Sequence, residues 1–389
     1  MARHSLLVAV VALVCPLASP SSAQMVWTQA TNNAGWSART YHTSVVHDGK
    51  MWVSGGFVPT SSIHNDVWYS TNGANWTQAT ASAGWTKRIL HRMAAFDGRL
   101  WISGGLDTAE VFLNDVWYSP DGIFWTQATG SAGWTPRAGH AMLEFNGYLW
   151  VLGGMDAIGN FNDVWYSQDG MSWTQATGSA GWQGRDGLSI VVFGGSMWIL
   201  GGGFGWRTYL GDVWSSTNGV DWTLLTTDPG WSARECAGAV VFDGKAWIVG
   251  GRAALRLNDV WFSENGYDWT EASASAEWTP RDGHTSVIFG DKMWVLGGHD
   301  TKCRNDVWCS EGYGGVAEAE PQFAPPRPRT ALVVRHGTYA CSSQTVLLNK
   351  VGRRVASLSA GLNRLDVPSG VYFAIDGMDG SVSRLVVTP

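Results

Sequence analysis

Asn114-Asp115-Val116-Trp117-Tyr118-Ser119-Pro120-Asp121-Gly122-Ile123-Phe124-Trp125-Thr126 decides the fold, because it reads as one complete β-hairpin. A Trp-containing strand runs into Asp121-Gly122 and a second strand leaves from Trp125-Thr126. Asx-Gly between such runs is the strongest short-range hairpin signal, since a type I′ turn needs positive φ at both central residues. The stretch then recurs. Asn-Asp-Val-Trp begins at Asn65, Asn114, Asn162, Asn258 and Asn305, and Gly211-Asp212-Val213-Trp214 fills the remaining place. The copies are about 47–49 residues apart, a period that belongs to repeat architectures.

Each repeat carries the same pieces upstream. An apolar run leads to a first tight turn (Asp48-Gly49, Asp97-Gly98, Asn146-Gly147, Gly194-Gly195, Asp243-Gly244, Gly290-Asp291), then to a Trp-bearing strand that ends in Gly-Gly. A variable loop separates it from the Asp-Val-Trp strand. Every repeat is therefore four short antiparallel strands. A sheet of that size buries neither face alone, so six of them must pack radially as propeller blades. The Trp-Thr strand occurs at Trp27, ahead of any complete repeat, and is missing after Trp308. Residues 25–30 are thus expected to close blade six as its outer strand and to remove an exposed edge.

The pattern resembles the Kelch family. Family blades show a Gly-Gly doublet, then a Tyr, then a Trp after six intervening residues, as at Tyr69 and Trp76, Tyr118 and Trp125, and Tyr166 and Trp173. Ser215 with Trp222 and Phe262 with Trp269 keep the spacing with the first aromatic lost or changed. The resemblance implies an all-β, six-bladed Kelch propeller over residues 24–315, similar in fold to the sialic-acid mutarotases and to the central domain of galactose oxidase.

Composition agrees with a large folded β protein. Of 389 residues 15% are charged and the net charge is −6, which excludes a polyanion-binding surface, so no nucleic-acid partner is expected. The 25 tryptophans are explained by four positions per repeat, leaving Trp206 outside the pattern. A feature present in every blade is scaffold, and the strand and connector rings are read as core.

Outside the repeats, residues 1–23 have the layout of a signal peptide: Arg3 and His4, an apolar run from Leu6 to Leu13, and Ser21-Ser22-Ala23 before Gln24. No other segment has the length and apolarity of a membrane span. Residues 316–330 form a Pro-rich linker. Residues 331–389 alternate as short strands and are expected to form a small Ig-like β-sandwich. Gly352-Arg353-Arg354-Val355, Gly370-Val371-Tyr372-Phe373 and Arg384-Leu385-Val386-Val387 resemble the C-terminal sorting domain of type IX secretion cargo. That likeness implies a secreted or cell-surface protein of a Gram-negative bacterium, handled by outer-membrane secretion machinery. Cys303 and Cys309 are placed to pair in an oxidising compartment, but the cysteines show no zinc spacing.

In a four-stranded meander the tight turns share one face, while the 2–3 loops and connectors share the other. Function is sought on the loop face, where loops sit on a rigid scaffold. It carries Arg39, Arg88, Arg137, Arg185, Arg234 and Arg281, one per blade, with His42, His91, His140 and His284 three residues on. The six Asp residues that open the third strands lie at the same end, and pairing is the favoured reading. Departures from the repeat are the better clues. Blade four has Trp206, Arg207 and Tyr209 in a glycine-rich 2–3 loop, and blade five adds Arg252. The candidate ligand site is therefore Trp206, Arg207, Tyr209, Arg185, Arg234, Arg252 and His284. No cofactor, no metal site and no catalytic residue is assigned. The expected activity is non-catalytic recognition of a glycan or protein. The alternative is a sugar-acting enzyme of mutarotase or galactose-oxidase type; Asp186, Glu235 and Asp282 would be the acid and base of a mutarotase.

Overall fold

A computed structural model describes residues 25–58, 62–205 and 207–311 in full, and the backbone of seven strands between residues 332 and 388. The leader, the linker and Trp206 lie outside the described residues. The chain divides into two units, residues 1–316 and 317–389.

The first unit is six antiparallel sheets. Blade one consists of Thr43–His47, Lys50–Val58, Ser62–Ser70 and Thr77–Thr80. Blade two repeats this from Arg92 to Thr129, with the short strand Arg88–Ile89 added. Blades three, four and five follow as Ala141 to Thr177, Ser189 to Thr226 and Gly238 to Ser273. Blade six holds Thr285–Phe289, Lys292–His299 and Cys303–Ser310, and its outer strand is Trp27–Thr31. The N-terminal strand pairs Trp27 with Ser310 and Thr28 with Cys309. The ring is closed as the displaced Trp-Thr copy requires.

The repeated motif has a job for each residue. Asn65 donates from Nδ2 to the carbonyls of Ala83 and Trp85, both at 2.9 Å, and so ties the third strand to the outgoing connector. Asp66 accepts two bonds from the Arg39 guanidinium, at 2.7 and 2.8 Å, and one from Trp68 Nε1 at 2.8 Å. Val67 is fully buried. All six ring arginines are at most 1% exposed and pair with the third-strand aspartate of their own blade. Each connector Trp lies edge-on to a Trp at the start of an outer strand, as Trp36 does on Trp76 with ring centres 5.9 Å apart. The six connector rings are 1–3% exposed. Burying each contributes about 4–6 kcal/mol by area, as an upper bound. The turn glycine is required by packing as well as by φ: at Gly122 a Cβ would lie 2.2 Å from the Trp52 ring.

Two residues after each ring arginine, the backbone turns into the left-handed region and meets its neighbour. Leu90 N donates to Tyr41 O, Gly139 to Leu90, Gly187 to Gly139, Cys236 to Gly187, Gly283 to Cys236, and Tyr41 back to Gly283, at 2.8–3.3 Å. These six bonds make a closed backbone belt around the propeller axis. All six residues have φ between 51° and 65°.

Cys303 and Cys309 do not pair. They lie six residues apart on one continuous strand, which at ~3.3 Å per residue separates them by roughly 20 Å. The turn face is also less plain than its short turns suggest, with Ile123, Phe124, Met171, Val220 and Tyr267 exposed.

In the second unit, a five-stranded sheet runs in the order Leu332–Arg335, Val382–Thr388, Gly370–Asp376, Thr345–Asn349, Arg354–Leu358, with the first pair parallel. Thr338–Cys341 pairs with Gly361–Arg364 in a separate ribbon.

Candidate functional site

The residue after each ring arginine bridges the residue after each Gly-Gly, and these six pairs form the mouth above the belt. In blades one to three they are Thr40 with Phe57, Ile89 with Leu106, and Ala138 with Met155. In blades four to six they are Asp186 with Gly203, Glu235 with Arg252, and Asp282 with His299. One backbone pattern thus presents an uncharged half and a half with an acidic residue in every blade.

On the charged side a cleft of about 410 Å³ opens between the loops of blades three, four and five. Its floor carries Asp186 and Glu235, and its walls carry Met155, Asn160, Arg207, Tyr209 and Arg252. The blade-three wall arises because the second strand stops at Leu152, short of its counterparts, and leaves residues 153–163 to loop outward. Asn160 locks this loop in place. Its Nδ2 donates to Asp186 Oδ1 at 2.7 Å, and its Oδ1 accepts from Gly205 N at 3.1 Å. Exposed apolar side chains stand on the same loops: Ile158 at 95%, Phe204 at 41% and Leu255 at 78%.

The carboxylates are electrostatically distinct. Burial, and then the neighbouring Asp186 charge, pushes the Glu235 carboxyl up to about 7; Arg252 opposes this. Burial also raises Asp186, against the Asn160 hydrogen bond. Asp282 is bound instead by Arg256 Nε at 2.5 Å, with Arg252 at 3.7 Å. Glu235 is therefore the carboxyl held near neutrality, with Asp186 raised beside it, while Asp282 is held in an ion pair with Arg256.

The sequence-predicted residues fall into two groups. Arg207, Tyr209 and Arg252 meet in the cleft. Arg185 and Arg234 do not reach it, because Asp212 and Asp259 hold them in bidentate pairs at 2.6–2.8 Å. His284 is 5% exposed, with its Nε2 3.1 Å from the Val249 carbonyl and its ring 5.8 Å from that of Trp278. Three residues past the ring arginine the chain has descended below the belt, so this histidine lines the axial cavity instead of the mouth. Sequence reasoning missed Met155, Asn160 and the blade-three loop. Their signal was the length of that loop, set against its strongly turn-forming Gly159-Asn160.

Among the described residues, no group of three His, Cys, Asp or Glu side chains is placed to hold a metal ion, and no helix is long and apolar enough to cross a membrane.

Kelch models match the chain in two places. The Kelch-repeats domain of the KLHDC2/KLHL20/DRC7 type matches residues 182–313, and the Kelch motif matches residues 38–69. The solved structure of YjhT is similar in fold, with a TM-score of 0.57 and 16% identity, covering 72% of this chain and 96% of that one. No curated protein matches the sequence. At 16% identity the likeness to YjhT carries architecture and not activity.

Proposed function

We propose that the propeller is a recognition module that takes a glycan, or a polar segment of a protein, into the cleft between blades three and five. The observation that carries this reading is the asymmetry of the mouth. Six equivalent bridged pairs are uncharged in three blades and carry at least one acidic residue in each of the others, and the cleft lies where that acidic half meets the irregular loops. A scaffold requirement would recur in every blade; this one does not. Arg207 and Arg252 supply fixed donors, Asp186 and Glu235 supply acceptors, and Tyr209 and Met155 supply apolar surface. Convergent polar groups on a partly apolar cleft are what a polyhydroxylated or peptide ligand requires. Trp206, in the same loop, is proposed as a stacking partner.

A glycan array probed with the mature protein tests this, beside the Arg207→Ala/Arg252→Ala variant. The expected result is a hit lost in the variant. A hit retained by the double variant would place recognition elsewhere.

A second reading is favoured by one observation. Asp186 and Glu235 share a site, and the Glu235 carboxyl is held near neutrality, as general acid–base chemistry at pH 7 requires. Anomer exchange of a reducing sugar, which needs one proton donor and one acceptor, is the simplest reaction of that class. Exchange followed by NMR, abolished in Glu235→Gln, would establish it.

The leader, residues 1–23, and residues 331–389 are proposed to route the propeller to the cell surface or beyond, the latter as a sandwich-type sorting domain. Fractionation of cells expressing the full chain and one ending at residue 315 tests that route.

A further inference from the structure

We propose that the axial cavity beneath the belt is a binding site for a small monovalent anion, chloride or a formate-sized carboxylate, built on Arg92. The site is separate from the mouth cleft: the two share no lining residue.

The repeat itself marks Arg92 as an exception. At the second position after each belt residue the six blades carry Thr43, Arg92, Ala141, Ser189, Gly238 and Thr285. Five are small and neutral. Their side chains serve blade-to-blade packing, as when Thr43 Oγ1 accepts from Met93 N at 3.1 Å and Ser189 donates to Ala237 O at 2.9 Å. Arg92 does this too, through Nε to the His140 carbonyl at 2.6 Å. That bond uses one donor and leaves the rest of the guanidinium in a cavity of about 180 Å³. At ~30 Å³ per molecule, the volume has room for about six waters.

Nothing in the wall neutralises this charge. Arg92 makes no ion pair among the described residues. The histidines on the surrounding strands, His42, His91, His140 and His284, are all driven toward the neutral form, by burial first and then by nearby arginines. Burial likewise keeps the Cys236 thiol and the Tyr41 phenol neutral. Asp186 acts on Arg92 only at longer range. Burial lowers the Arg92 pKa, but arginine is not deprotonated in proteins at neutral pH and the guanidinium stays charged. Arg92 is part-buried, and its guanidinium, met by a single carbonyl in a confined cavity, gains from a counter-anion beside it.

A second observation points the same way. Ser44 Oγ and Ser286 Oγ, on blades one and six, are buried in the same cavity wall without a hydrogen-bond partner. Both are O–H donors on the cavity wall, available to an anion that enters it. The belt above is a continuous ring of backbone, so the ligand must be small.

Thermal unfolding of the full chain in sodium chloride, sodium formate and sodium gluconate at one fixed ionic strength tests the proposal. Gluconate is too large for the cavity. The expected result is a Tm about 2–4 °C higher in about 150 mM chloride or formate than in gluconate. The difference should vanish in Arg92→Thr, which installs the residue of blades one and six, and persist in Arg92→Lys. A Tm indifferent to the anion, or an anion effect that survives Arg92→Thr, overturns the assignment. Should Arg92→Thr not fold, bromide-soaked crystals of the unaltered protein decide: an anomalous peak beside Arg92 supports the site, and its absence at saturating bromide refutes it.

Discussion

Tyr41 donates its backbone N–H to the Gly283 carbonyl at 3.0 Å, and that one bond completes a ring that passes through all six blades. The outer strand closes the propeller at its rim, where Trp27 meets Ser310. The belt closes it at the axis. Closure at two radii leaves no blade free to separate by a hinge at either end.

The belt sets opposite expectations for two of its members. Leu90 sits at φ 54° without being glycine, a conformation that costs about 1–2 kcal/mol for an L residue. Leu90→Gly should relieve that strain and leave stability unchanged or raised by up to about 1 kcal/mol after loss of a half-buried side chain. Gly187→Ala should do the reverse. Its φ is 56°, and a Cβ there would lie 3.0 Å from Cys236 Sγ, so a loss of about 1–3 kcal/mol is expected. Urea unfolding of both variants checks the pair. Equal destabilisation by both would mean that the belt conformation is not what limits these positions.

The Arg39–Asp66 pair predicts a large effect at a site far from any ligand. Arg39 is wholly buried and also donates to the carbonyls of Gly55 and Ser37, at 2.7 and 3.0 Å. Burial raises the Asp66 pKa, but the Arg39 hydrogen bonds and charge outweigh it and leave the carboxyl below its usual range. Asp66→Ala strands the guanidinium and should cost about 3–5 kcal/mol. The same change at an exposed carboxylate such as Glu264 should cost under about 1 kcal/mol. Chemical denaturation distinguishes them, and a mild Asp66→Ala would show that water reaches the pair.

The blades were legible because every signal is repeated. Asx-Gly turns, Gly-Gly doublets and Asn-Asp-Val-Trp recur in nearly every blade, and a single copy of the Trp-Thr strand out of order revealed the closing strand. The arginine and aspartate rings were legible for the same reason, since both fall at one end of every sheet. The cleft was only half legible. Arg207, Tyr209 and Arg252 stood out as departures, yet Met155 and Asn160 belong to a loop whose path depends on where one strand stops. His284 was misplaced because three residues of chain carry it past the belt, a change of level that spacing along the sequence does not encode. Arg92 is legible as an exception at its repeat position, where the other blades carry small neutral residues.

Buried neutral histidines predict acid sensitivity. His42 and His284 are lowered to about 3, by burial and then by neighbouring charge, and His91 and His140 fall well below the usual 6.5. The unfolded chain takes up these protons near 6.5 and the folded protein does not. Their stabilisation is complete above 6.5 and is lost as pH falls toward 3, at about 1.4 kcal/mol per pH unit for each histidine. Glu235 works against this between about 4.5 and 7, because its raised carboxyl binds a proton in the folded state, and Asp186 is raised in the same direction, but these are two groups against four. The Tm should therefore fall steeply from pH 6.5 to pH 5, well above the range where ordinary carboxylates titrate. A flat profile across that interval would contradict neutral burial of the four rings.

The last prediction concerns the cleft and does not depend on knowing the ligand. Glu235 is held near 7 by burial first and by the Asp186 charge second. Asp186→Asn removes the charge and keeps the Asn160 side as a hydrogen-bond neighbour, so the Glu235 midpoint should drop but stay above the ordinary glutamate value of about 4.3. Arg252→Met removes the opposing cation and should move the midpoint upward. Carboxyl-carbon NMR of the labelled glutamates reads both shifts directly. Movement in opposite directions would establish that Asp186, Glu235 and Arg252 form one electrostatic unit at the mouth. If neither variant shifts the midpoint, burial alone sets it, and the case for proton exchange between Asp186 and Glu235 falls, while recognition through Arg207 and Arg252 stands on its own test.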